Sequence, residues 1–210
     1  LGLASPLRLA DARAGVPTSA VDVAREVFNE TTPGAAAPAG AAAPADLAPA
    51  DDLLAAWDPV YREVAARLDP IFAPHVTAIR LSGVDAMSHA HWGAADPARP
   101  AARREGDAER LEAAYREVDE AVGRARDQLR PGDLLLVVSG FGMEPVSLAK
   151  RLLARTLQQP DLTGTHEGAP DGFLLAYGRD VVHAELPRGA VVDLAPTILY
   201  YLGVPVGRDM

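Results

Sequence analysis

Leu134-Leu135-Leu136-Val137-Val138 is an unbroken apolar run that ends in Ser139-Gly140-Phe141-Gly142. A run of this length, closed by turn residues, reads as a strand covered on both faces, the pattern of a central strand in a parallel sheet. Such a strand needs helices above and below it, so it constrains the fold class before any other feature does. Upstream, Leu111, Ala114, Tyr115, Val118, Val122 and Leu129 mark one face of a helix, and Pro131-Gly132-Asp133 turns the chain into the strand. Downstream, a helix is expected over residues 146–157 and another strand over Phe173-Leu174-Leu175-Ala176-Tyr177.

The same alternation extends on both sides. Asp51-Asp52 can cap a helix whose apolar face is Leu53, Leu54, Trp57, Val60, Tyr61, Val64 and Leu68, with Pro70 and Pro74 ending it. Val76-Thr77-Ala78-Ile79-Arg80-Leu81 reads as a short strand broken by Gly83, and Val84 to Trp92 as the loop after it. Near the end, Asp193 caps a helix that tolerates Pro196 in its first turn and stops at Gly203. Its Leu199, Tyr200 and Tyr201 are expected in the core. This order predicts an α/β sheet with ligand groups beyond the strand ends.

The segment before residue 51 is different in kind. Pro33 to Ala50 is almost wholly Ala, Pro and Gly, and its prolines forbid a continuous helix, so it reads as a linker or insertion. Residues 1–32 form a weakly patterned leading segment with one helix expected around Ser19–Phe28. Residues 51–210 carry the regular domain. The chain starts at Leu1 and stops just after a helical pattern, so both ends read as cut and the lack of a signal peptide says nothing of targeting.

Composition excludes several classes. The formal net charge is −9, without the basic face of a general nucleic-acid binder, so no duplex binding is expected. With no cysteine there is no disulfide, thiol nucleophile or thiolate metal site. No run of eighteen apolar residues exists, so no membrane span is expected.

Three polar clusters fall where strands are expected to end: Asp85 with His89, Ser139 to Pro145, and Thr163 to Glu167. One carboxylate and two imidazoles, from Asp85, His89 and His166, make a borderline-soft donor set that suits zinc. The remaining candidates have plainer readings. His75 and His183 are solvated. His91 and Trp92 pack locally. Ser139 makes a turn, since no G-x-S-x-G spacing surrounds it. No dinucleotide fingerprint follows the strand.

Four motifs in order add specificity. Gly83-Val84-Asp85-Ala86-Met87-Ser88-His89-Ala90-His91-Trp92 resembles the G-x-D-x-x-x-H-x-x-W segment of the alkaline phosphatase superfamily, in its type I phosphodiesterase / nucleotide pyrophosphatase branch. Asp133–Pro145 resembles that family's strand ending in S-D-H-G-M-x-P. Thr165-His166 followed by Asp171-Gly172-Phe173 is similar to its late H…D-G segment, and Asp193 to Pro205 to its D-x-A-P-T-x-L-x-x-L-G-x-P helix.

The resemblance implies an alkaline-phosphatase-like α/β fold, a mostly parallel sheet flanked by helices, incomplete on its N-terminal side. It implies a phosphoric ester hydrolase acting on a phosphorylated small molecule, with residues 51–210 as the C-terminal part of the domain. One metal ion, zinc or another divalent cation, is expected on Asp85, His89 and His166. The family's second metal is held by an N-terminal Asp, a Thr or Ser nucleophile and the Asp-His of S-D-H-G. Gly140 and Phe141 stand at that Asp-His pair and cannot ligate, and the nucleophile has no match, which places it before Leu1. Glu144 is the one nearby carboxylate that can substitute. Two other readings follow from the same departures: a non-catalytic relative used for binding or assembly, and a sulfatase or sugar-phosphate mutase of the superfamily. Relatives are often exported, so the resemblance points to an extracytoplasmic location. It sets no oligomeric state.

Overall fold

The computed structural model describes residues 50–95, 105–157 and 162–210, together with Asp22, Val23, Glu26, Val27 and Glu30. It divides into two compact units, Leu1–Asp119 with Pro145–Thr165, and Glu120–Glu144 with His166–Met210. The linker expected over 33–50 lies outside the described residues, apart from Ala50. No described helix is long and apolar enough to cross a membrane.

The first unit is built on helices. Helix α1 spans Ala50–Phe72, α2 spans Gly83–His91 and runs into a 3-10 turn at Trp92–Ala94, and α3 spans Asp107–Asp127, finishing in the second unit. Helix α1 packs on α2. Among the described residues, the buried apolar side chains of this unit are Val27, Val60, Ala86, Met87 and Leu111. The five described residues of the leading segment are helical, with Val27 fully buried and Glu30 paired to Arg67. Arg62 joins α1 to Glu117 on α3 at 2.9 Å. Pro70 does not end α1, because a proline in the last turn removes one hydrogen bond near the end of the ladder. The chain leaves the helix at Ala73, held at φ 42° before Pro74.

Val76 to Leu81 is not a strand. The segment is irregular, with Val76 and Ile79 exposed, and no ladder partner exists for it among the described residues. Apolar composition favours a strand only when a neighbour takes up its backbone hydrogen bonds. The residues that follow form α2 where a loop is expected, which changes the geometry of Asp85 and His89.

In the same unit, Val146 donates its N–H to Thr163 O at 2.8 Å. This bond sits beside a minimal ladder of β2, Glu144–Pro145, and β3, Gly164–Thr165. Helix α4 spans Leu148–Thr156 and is capped by the Ser147 hydroxyl, which accepts from Lys150 N–H. Strand β3 packs on α2.

The second unit centres on an antiparallel pair, β1 at Leu135–Phe141 and β4 at Asp171–Tyr177, in register from Leu135 opposite Tyr177 to Phe141 opposite Asp171. The parallel sheet expected from Leu134–Val138 is therefore not formed among the described residues. An apolar run marks a strand but not the direction of its neighbour, and β1 finds its partner in the strand that returns beside it. Each strand keeps one edge without a partner among the described residues, and Val138, Phe173 and Leu175 are exposed. Gly172 is obligatory here: a Cβ at this position would lie 1.9 Å from Ser139 O.

After β4 the chain reaches a 3-10 turn at Val191–Asp193 and helix α5 at Leu194–Tyr201. Asp193 sits at the start of α5 but makes no side-chain cap; its carboxylate turns back to Ala190 N–H at 2.7 Å. Gly203 ends the helix with φ 68°, as the sequence predicts. Tyr200 and Tyr201 do not enter a core. Tyr200 is 82% exposed, and Tyr201 donates its hydroxyl to Gly132 O at 2.7 Å.

Candidate metal centre

Helix α2 carries the first two candidate ligands. Asp85 and His89 are four residues apart, so they project from one helical face, with Asp85 Oδ1 3.7 Å from His89 Nε2. Both ends of this nine-residue helix are held by buried carboxylates. At the N-terminus, Asp58 of α1 accepts the N–H groups of Ser82 and Gly83, each at 2.8 Å. Burial pushes the Asp58 carboxyl above its ordinary pKa, opposed by the bonds from Gly83 and Ser82 and by the charge of Arg62. At the C-terminus, His91 Nδ1 meets Asp107 Oδ1 at 2.7 Å, joining the end of α2 to the first residue of α3.

The His89 ring is fixed from its other side. Its Nδ1 lies 2.8 Å from Gly164 O, and a carbonyl can only accept, so Nδ1 carries the proton. Nε2 then faces the Asp85 side. In the second unit His166 repeats the arrangement, with Nδ1 2.6 Å from Gly142 O. A ring proton donated to a backbone carbonyl is the usual support of a metal-ligating histidine, because it selects the tautomer and orients the ring. The Phe141 ring lies against that of His166, with centroids 5.5 Å apart.

Asp85, His89 and His166 are half-buried and constitute a group that could hold a metal ion. Their donors, one carboxylate oxygen and two imidazole nitrogens, fit a borderline divalent cation such as zinc.

In comparison with known families, the profile of the type I phosphodiesterases / nucleotide pyrophosphatases matches residues 8–192. The chain belongs to this family. Comparison with curated proteins and with solved structures finds no match. The family lies in the alkaline phosphatase superfamily, is metal-dependent, and acts on phosphorylated or nucleotide substrates. The match begins well before Asp51 and ends just before Asp193, so the last of the four motifs lies beyond it.

Within the phosphodiesterase family framework, the departures at Gly140 and Phe141 acquire a local description. Gly140 has open space where a Cβ would stand, and Phe141 is 67% exposed. Glu144 accepts Gly168 N–H on its carboxylate at 2.6 Å and is not among the residues of the candidate group. Ser139 donates its hydroxyl to Phe141 O at 2.9 Å but lies within β1, opposite Phe173, and not in the turn expected for it, because the ladder with β4 runs on past Val138 to Phe141. His75 and His183 are exposed, and His91 is buried in its pair with Asp107.

Two supporting residues, Asp58 and Asp107, escape a sequence reading, and Thr163 is legible only as the start of a polar cluster, not as a buried support. Each is 3% exposed. Asp58 and Asp107 sit in ordinary helical patterns and look like solvated charges. A Thr or Asp announces its burial only when the residues opposite it are known.

Proposed function

We propose that the protein hydrolyses a phosphate ester, a phosphodiester or nucleotide-type pyrophosphate, and that Asp85, His89 and His166 hold a single divalent metal ion, zinc by the chemistry of the donors. The observation that carries this reading is the matched anchoring of the two histidines. Each gives its Nδ1 proton to a backbone carbonyl, Gly164 O in one case and Gly142 O in the other, which leaves Nε2 as the ligating nitrogen. Chain geometry adds support. Only Thr165 separates Gly164 from His166, so their Cα atoms lie within about 7 Å of each other.

A metal bound there would polarise a phosphoryl oxygen and lower the pKa of a bound water. The residues of this chain do the rest. Asp85 supplies the charge that partly offsets the cation, and the two carbonyl-bound imidazoles are held in orientation. Phe141 gives the His166 side an apolar wall where the family has a metal-binding histidine. Residues 51–210 are read as the C-terminal part of an alkaline-phosphatase-like domain.

The test is metal content and hydrolysis of bis(p-nitrophenyl) phosphate by the zinc-loaded protein. Wild type is expected to bind about one zinc and His166→Ala to lose it. Equal zinc content in both would remove the reading. Phe141 favours a second reading, a non-catalytic relative that keeps the metal and the fold. Zinc binding without turnover of any phosphodiester would select it.

A further inference from the structure

Thr163 uses every hydrogen-bonding group it has, and three of the four are spent at the end of α2. Its N–H donates to His89 O at 2.8 Å. Its hydroxyl donates to Ala90 O at 2.9 Å and accepts Gly93 N–H at 3.1 Å. Its own carbonyl accepts Val146 N–H at 2.8 Å. The last carbonyls of a helix have no partner within it, and here one buried residue takes two of them. The next residue, Gly164, presents the carbonyl that holds the His89 ring.

Residues 163 and 164 thus grip His89 at both ends, by its backbone carbonyl and by its imidazole. The same segment leads in two further residues to His166. We propose that Thr163 is a positioning residue of the metal centre: its hydroxyl locks the C-terminal turn of α2 to the segment that supplies His166, so that His89 is held ready for the ion. This rests on the metal reading above. Thr163 is not itself a ligand; it acts through His89.

Its hydroxyl is the informative group. Thr163→Val keeps the shape and the backbone bonds but leaves Ala90 O and Gly93 N–H without that hydroxyl in a buried place. Thr163→Ser keeps the hydroxyl and loses only a methyl group. Loss of a supporting hydrogen bond around a ligand lowers metal affinity about 10–100-fold.

The experiment is zinc titration by calorimetry on the full chain, with His89→Ala as reference. The expected result is a zinc affinity at least tenfold weaker in Thr163→Val, restored to within about threefold by Thr163→Ser. Thr163→Val that melts earlier but binds zinc like wild type would overturn the proposal, because it would reduce Thr163 to a packing residue. His89→Ala that binds zinc like wild type would instead overturn the metal reading itself. If Thr163→Val does not fold, amide hydrogen exchange on wild type decides. Zinc is expected to slow exchange at the Thr163 and Gly93 amides, and no change at either would overturn the proposal.

Discussion

His91 Nδ1 and Asp107 Oδ1 lie 2.7 Å apart, both nearly buried, and this contact fastens the last residue of α2 to the first of α3. Asp107→Ala removes the acceptor and leaves His91 without that partner in a dry place. Unfolding in urea is expected to show a loss of about 1.5–3 kcal/mol, the range for a hydrogen bond to a charged group. A loss below about 0.5 kcal/mol would mean that the pair is incidental to stability.

Asp58 makes stability depend on pH with a definite sign. Its folded pKa is raised, so the native state binds the proton more tightly than the unfolded chain. Its contribution is fully present below the ordinary carboxylate value, about 3.9, and is lost as pH rises through the raised native value. Asp58→Asn abolishes this titration. The stability of wild type relative to the variant should fall with rising pH across that interval and then level off. A difference that stays flat from pH 3 upward would contradict burial as the dominant influence on this carboxyl.

Gly172 and Gly140 face each other across β1 and β4 and predict opposite outcomes. At Gly172 a Cβ would collide with Ser139 O at 1.9 Å, whereas at Gly140 nothing lies within 4 Å. Gly172→Ala should cost about 3 kcal/mol or more, because backbone must move to accept it. Gly140→Ala should change stability by less than about 0.5 kcal/mol. Similar melting temperatures for the two variants would mean that the ladder register is wrong.

Zinc should stabilise the protein by mass action. At a free concentration of 100 times its dissociation constant the gain is about 2.7 kcal/mol, read as a rise in melting temperature and reversed by a chelator. His89→Ala and His166→Ala should each erase it. A shift that persists in both variants would assign zinc to other residues.

The candidate ligands were legible in the sequence because spacing and residue type survive a wrong assignment of secondary structure. Asp85 and His89 were expected in a loop and stand on a helix, yet their four-residue separation serves either way. Glycine and proline punctuation was equally legible at Gly132 and Gly203, where φ is positive, and Pro70 misled only by two residues. The direction of the β1 neighbour was not legible, since Leu135 to Val138 would read the same beside a parallel or an antiparallel partner. Nor were Tyr200 and Tyr201, whose apolar spacing suits a core they do not enter. Asp58 and Asp107 were invisible because burial of a carboxylate is decided by distant residues.

Nine residues are too few for a helix to persist in water on its own. Helix α2 borrows its order from Asp58, Asp107 and Thr163, which lie on three separate stretches of chain. The prospective ligands are therefore exposed to inherited or engineered damage at positions that never approach an ion. Substitutions far apart in the sequence should converge on one phenotype, a protein that remains folded elsewhere yet has lost its grip on metal.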